Sequence, residues 1–437
     1  MSLGRARRDF PALRRRRGKR PPTYLDSACI SLVPRATLNA MEEYYAEYPA
    51  CAGRSFHRWS ETVGRRYEEA REAIARFAGA SDPTGLIFLR NTTEAINLVG
   101  QGLAWRRGER VLITGQEHNS NLIVWQRLAA ERGIRIEVLD LPGDGRFPSE
   151  ELEERLAGGV RLVSVFHASN LDGRSLPIRE IVQRAHDRGA LCLFDGAQSA
   201  PHRAIDFDRV GADFYAFSGH KMLGPTGTGL LLGRRERLEE LRPLVVGGET
   251  VAWSRLDAHE LRPPPYRFEA GLQNYAGVLG ARAGIDYLVG CGLAEVEARQ
   301  RDLNRFVTRA LADEPRIHVL GPTDPADRPS IFGFTVGGID PHDVALFLDS
   351  GYQVLVRSGM HCVHSWYDRR GIAGSVRASF YLYNDRYDAT ALVRGLRELI
   401  RRVPSGSSGG FGRGSVRERI RARAPSRRSG PARCSRG

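Results

Sequence analysis

The chain reads as an α/β protein with two lobes, and three features carry that expectation. From about residue 64 onward, short apolar runs alternate with stretches of helical periodicity. A Gly- and Pro-bearing stretch at 241–266 interrupts the alternation. A shorter series of the same kind follows it. Apolar strands separated by helices belong to a mostly parallel sheet covered on both faces. With 437 residues, 41% of them hydrophobic, the chain can build such a sheet and a smaller domain beside it.

The elements follow in order. Helical periodicity over 64–78 precedes the apolar run Leu86-Ile87-Phe88-Leu89, and a helix opens at Asn91-Thr92-Thr93-Glu94, where the Asn side chain suits a cap. Further strands are expected at 110–115, 134–141, 160–169, 190–196, 213–219 and 228–233, with helical segments between most of them. After the break, a long helical segment spans 275–312. Strands at 330–336, 353–359 and 375–383 then alternate with helices near 341–350 and 386–402. Beyond Val403 the composition turns to Gly, Ser, Pro and Arg without periodicity, which predicts a disordered tail over 404–437. The expected division is a basic arm at 1–20, a large domain at 21–285 whose first residues pack on the small domain, a small domain at 286–403, and the tail.

The net charge of +14 invites a nucleic-acid reading, but its location argues against one. Residues 1–20 and 403–437 each carry +8, which leaves about −2 for the body between them. Basic ends touch phosphate without reading bases, so solvated arms and no specific nucleic-acid partner are expected. No apolar run reaches the length of a membrane span, and the Arg-rich start has no apolar segment behind it to make a secretory signal. Cysteines at 29, 51, 192, 291, 362 and 434 show neither disulfide nor zinc spacing. A reducing cytoplasm and no metal are the expectation.

One residue type is nearly missing. Of 65 basic residues only Lys19 and Lys221 are lysines. Arg replaces Lys in surface charges and ion pairs, but a guanidinium cannot lose a proton and attack a carbonyl. Lys19 lies in the basic arm; Lys221 is the body's one lysine, inside Phe217-Ser218-Gly219-His220-Lys221. Asp195 closes the strand run Leu191-Cys192-Leu193-Phe194-Asp195, 26 residues earlier. Alone, such an aspartate is a helix cap. With the lysine, it matches what pyridoxal phosphate needs: an amine for a Schiff base and a carboxylate for the ring nitrogen. The Thr92-Thr93 helix start, with Ser218 and His220, offers hydroxyls and N–H groups for a phosphate. His118, after the strand at 110–115, offers a flat partner for a ring.

These positions sit in stretches that resemble a known family. They include Tyr24-Leu25-Asp26-Ser27-Ala28, residues 53–71, 90–99, 117–126, 169–173, 194–202, 217–229 and 267–271, then Arg357-Ser358-Gly359-Met360-His361-Cys362 and residues 374–384. From about 22 to 402 they are similar, in family order, to the class V aminotransferase superfamily of pyridoxal-phosphate enzymes. Within it they resemble the group II, Suf-type cysteine desulfurases. The resemblance implies a fold-type I homodimer that converts L-cysteine to L-alanine and hands the sulfur, through a persulfide on Cys362, to an acceptor for iron–sulfur cluster assembly.

It also implies roles. Lys221 would form the Schiff base and move the α-proton, Asp195 would hold the ring nitrogen, and Gln198 the ring oxygen. His118 would stack on the ring and act in acid–base steps, while Thr92, Thr93, Ser218 and His220 hold the phosphate. Asn170, Arg357 and Arg377 would orient the substrate carboxylate. The interval of 15 residues from Cys362 to Arg377 is short for a swinging loop, as in group II.

Two positions depart from the family pattern. Leu272 follows Phe268-Glu269-Ala270-Gly271 where a phosphate-contacting Thr is usual, and Ala28-Cys29-Ile30 replaces the commoner Ala-Ala-Thr. A divergent substrate is therefore open, with selenocysteine lyase or another class V aminotransferase, lyase or epimerase as the alternative. A nucleic-acid-binding protein using its basic ends is the rival of a different class.

Overall fold

A computed structural model describes residues 3–14 and 21–403. The tail expected over 404–437 lies outside the described residues. In chain order the strands are β1 (Thr23–Tyr24), β2 (Leu86–Leu89), β3 (Arg110–Thr114), β4 (Arg135–Leu139), β5 (Val160–Phe166), β6 (Leu191–Asp195), β7 (Phe214–Ser218) and β8 (Gly229–Gly233). They continue with β9 (Val251–Ser254), β10 (His259–Leu261), β11 (Ile317–Val319), β12 (Ile331–Val336), β13 (Val354–Leu355), β14 (Arg357–Gly359) and β15 (Ser375–Ser379).

The large sheet runs in the order β2-β8-β7-β6-β5-β3-β4. Every neighbouring pair from β7 through β6, β5 and β3 to β4 is parallel, and β8 is antiparallel to both β7 and β2. The strand sequences are apolar nearly throughout because both faces are buried, and successive residues serve opposite cores. Tyr215 and Phe217 of β7, with Cys192 and Phe194 of β6, enter one core; Phe214, Ala216 and Leu193 enter the other. The first core is closed by the helices Arg58–Phe77 and Tyr275–Cys291, the second by Thr92–Gly102 and Ile123–Arg132.

The smaller α/β unit has an antiparallel sheet in the order β11-β12-β15-β14. The helices Leu293–Ala310, Pro341–Tyr352 and Arg386–Arg402 pack their apolar stripes on it, through Val307, Phe347 and Leu396 among others. β1 pairs in parallel with β13, and Asp26 bridges to Ser379, so the chain after residue 21 runs across this unit before entering the larger one.

Several elements differ from their expectation. The helix expected at 64–78 begins at Arg58, where the His57 ring caps it by accepting from the Ser60 N–H at 3.3 Å. The segment 275–312 is two helices, because Gly292 at φ +80° turns the backbone out of the helical region. The strand expected at 353–359 splits into β13 and β14, which belong to different sheets. Inside 241–266 lies an antiparallel hairpin, β9–β10.

The basic arm is also corrected where it is described. Residues 3–14 form short helical turns that bury Phe10 completely, against Tyr287 and Tyr383. Arg7 pairs with the buried Asp388 carboxylate at 2.7 Å. Three apolar side chains among the arginines (Leu3, Phe10 and Leu13) turn this part of the arm into a packed segment.

Candidate active site

The C-terminal ends of the parallel strands converge on one cavity of about 190 Å³. Thr92 and Thr93 reach it from the turn after β2, His118 from the turn after β3, Asn170 from the loop after β5, Asp195 and Gln198 from the end of β6, and Ser218, His220 and Lys221 from the end of β7. The smaller unit closes it with Arg357 on β14, Arg377 on β15 and Cys362 between them. Every position singled out for the site from the sequence thus lines the same cavity. Ala28 and Cys29 complete its wall from the N-terminal segment.

At one end a helix start meets a group of hydroxyls. Asn91 caps the helix Thr92–Gly102 by accepting from the Glu94 N–H at 2.9 Å, so the helix begins at the cavity. The Thr92 N–H donates to the Ser218 hydroxyl at 2.9 Å, and Thr93 and Ser120 share a hydrogen bond at 2.7 Å. β8 passes so close that a Cβ on Gly229 would stand 2.2 Å from the Asn91 nitrogen.

At the centre, Asp195 is buried and Lys221, beside it in the cavity, is half-buried. Burial lowers the Lys221 pKa, with the Asp195 charge opposing it. Burial raises that of Asp195, with Lys221 opposing. Gln198 donates to the Ala28 carbonyl at 2.6 Å, while its buried Oε1 has no partner among the described residues. The His118 ring accepts from the Ser120 N–H through Nδ1 at 3.1 Å. Burial, reinforced by the charges of Lys221, Arg377 and Arg357, lowers its pKa to about 3, so the imidazole is neutral.

The thiol end is tightly held. His361 and Cys362 both occupy the left-handed region, at φ 49° and 60°. Their carbonyls accept from the Asn170 side chain and the Asn119 N–H, each at 2.7 Å, so two loops of the large sheet fix this strained turn. Arg377, fully buried, donates to the Asn170 carbonyl at 2.8 Å and pairs with Asp26 at 3.2 Å, with its Nε left unpartnered among the described residues. Arg357 directs one terminal nitrogen at Cys362 Sγ, at 3.9 Å.

Comparison with known proteins fits this arrangement. The Aminotransferase class-V family matches residues 23–392. The chain belongs to that family. Among class V relatives, a probable cysteine desulfurase of Halalkalibacterium halodurans is 38% identical over 392 residues, covering 89% of this chain and 96% of the relative. A cysteine desulfurase of Dickeya dadantii is 36% identical, covering 91% and 97%. The apo structure of a cysteine desulfurase from Thermococcus onnurineus superposes with a TM-score of 0.87 at 36% identity, over 92% of this chain and 99% of that one. An S-sulfonic acid form of an Escherichia coli cysteine desulfurase superposes at 0.84 with 30% identity, over 92% and 100%. The chain therefore has the fold of the pyridoxal-phosphate class V enzymes.

Sequence reasoning left out the neighbours that hold the site. Ser120 and Asn119 are given no role there, and Asp26 enters only within a family-like stretch, without its pairing to Arg377. Away from the cavity, His186, Cys192 and Asp213 come within ligand distance of one another. The Asp213 carboxylate is already engaged by Arg237 and the Cys192 N–H, an arrangement of structural pairing.

Proposed function

We propose that the protein is a pyridoxal-phosphate-dependent cysteine desulfurase that converts L-cysteine to L-alanine and stores the sulfur as a persulfide on Cys362. The observation that carries this reading is the meeting of Lys221, Asp195 and Cys362 in one cavity. The cavity suits the cofactor on its own terms. A carboxyl as buried as that of Asp195 is relieved by a cationic ring nitrogen, and the Thr92–Ser218 cradle offers hydroxyls and a helix start to a phosphate.

When bound, pyridoxal phosphate supplies an electron sink for the electron pair left on the substrate's α-carbon. The protein's own groups do the rest. Lys221, kept towards its neutral form by burial, is the amine that can engage a carbonyl and then take the α-proton. Arg377, with Asn170, orients the substrate carboxylate. His118, neutral and lining the cavity, would hold a face of the ring and could move a proton beside it. The Cys362 thiolate attacks the substrate sulfur: an S–S bond forms, the C–S bond breaks, and its electron pair stays on the carbon side. Protonation of that carbon, with return of the α-proton from Lys221, completes alanine.

The finer assignments follow from the same reading. The short, anchored segment between Cys362 and Arg377 supports the group II type. A homodimer is supported by Leu244, Val245 and Leu272, exposed apolar residues that line an open cavity beside the β2 turn. Leu272 offers no hydroxyl to a phosphate there. Transfer to an acceptor protein for iron–sulfur cluster assembly, in the cytoplasm, agrees with the free thiols of the described cysteines. Supplying L-cysteine and a reductant should release alanine and sulfide in step; the absence of both would end this reading.

A further inference from the structure

Cys362 is not the one thiol at this cavity. Cys29 lines the same wall, and the two sulfurs share a guanidinium: Arg357 donates from Nη1 to Cys29 Sγ at 2.8 Å and from Nη2 to Cys362 Sγ at 3.9 Å. The two terminal nitrogens of one planar fork lie close together, so the sulfurs are at most about 9 Å apart before either side chain turns. A persulfide adds a second sulfur roughly 2 Å further out, which narrows that gap.

Cys29 stands on a fixed turn. Its N–H donates to the Asp26 carbonyl at 3.0 Å; on one side the Ala28 N–H donates to Ser379 Oγ at 2.9 Å, and on the other the Ser31 N–H donates to the His220 carbonyl at 2.9 Å. Cys29, Cys362 and Lys221 all line the one cavity, which places both sulfurs at the reacting centre. The thiolate is the form that attacks a persulfide, and the shared guanidinium holds the two sulfurs on one side of the cavity.

We propose that Cys29 is a second sulfur-carrying catalytic residue, which takes the outer sulfur from the Cys362 persulfide. This rests on the desulfurase reading. The Cys29 thiolate attacks the outer sulfur; a new S–S bond forms on Cys29 as the Cys362 S–S bond breaks, and Cys362 leaves as a thiolate. One persulfide and one thiolate give one persulfide and one thiolate, with no net oxidation. Cys362 is then free for a second L-cysteine while the first sulfur waits on Cys29.

The test is a peptide-resolved persulfide map of the cofactor-loaded protein after brief exposure to L-cysteine without reductant, trapped by alkylation. The two thiols fall on separate peptides, since Arg35 ends one and Arg357 and Arg369 bound the other. Wild type should carry sulfur on both peptides and release about twice the alanine per site in its first burst that Cys29→Ala releases. Cys29→Ser should repeat the halved burst, and both variants should keep the cofactor's visible band as evidence of folding. Sulfur on Cys362 alone in wild type would overturn the relay while leaving the desulfurase reading intact. A Cys29–Cys362 disulfide with released sulfide would also overturn it, since it reports attack on the inner sulfur. No alanine and no sulfur on either peptide would overturn the desulfurase reading and the relay together.

Discussion

The Asn170 side chain donates to the His361 carbonyl at 2.7 Å, so a loop from the large sheet holds the turn that carries the thiol. The same residue's carbonyl accepts from Arg377. Asn170→Ala should therefore loosen the turn and lower turnover about 10- to 100-fold, the range expected when a reacting group drifts by roughly 1 Å. Steady-state alanine production is the measurement, with the cofactor band retained.

Lys221→Arg should abolish both the visible band of the bound cofactor and all turnover, because a guanidinium stays protonated and cannot bond to a carbonyl carbon. Absorbance spectra of the two purified proteins decide the matter. A wild-type spectrum in the variant would remove Lys221 from its role.

Cys362→Ala should keep the band and its response to added L-cysteine, since Lys221, Asp195 and Arg377 remain. Alanine should fall to background. Wild-type-like alanine from this variant would make Cys362 a bystander and place the protein with the lyases or aminotransferases.

His167 is buried against Tyr215, and burial, then the Arg203 charge, lowers its pKa from 6.5 to about 3. The unfolded chain binds a proton near pH 6.5 that the folded one refuses until about pH 3. Its contribution is thus full above pH 6.5 and is lost as the pH falls towards 3. His167→Gln, which can keep the Tyr215 hydrogen bond, should flatten the acid limb of a stability–pH curve by up to about 1.4 kcal/mol per pH unit.

Phe10→Ala should cost about 3 kcal/mol, as for other buried aromatics, despite its place in an Arg-rich segment. Denaturant melts at constant slope would show it. A change within a few tenths of a kcal/mol would mean that the segment is not packed in solution.

The inner strands of the large sheet were legible because both faces are buried and their runs are mostly apolar. The reversal of β8 was not, since Leu230-Leu231-Leu232 reads the same in either direction. Lys221 and Asp195 stood out through scarcity and position on a strand end. Cys29, visible only as a departure from the family pattern, gave no sign of meeting Arg357, because the two lie 328 residues apart in sequence and the β1–β13 pairing brings their segments together. Phe10 was hidden by the charge around it, and Gly292 by two flanking helices that share one periodicity.

Gly292 is the joint between the last helix of the large unit and the first of the small one, and Phe10 rests on both sides of it. Its ring meets Tyr287 before the joint, at 5.9 Å, and Tyr383 beyond it, at 4.8 Å. In mechanical terms the N-terminal segment is a brace that ties the two units together. The unit that supplies Cys362 is thus clamped to the one that supplies Lys221 from outside the cavity as well as at its rim.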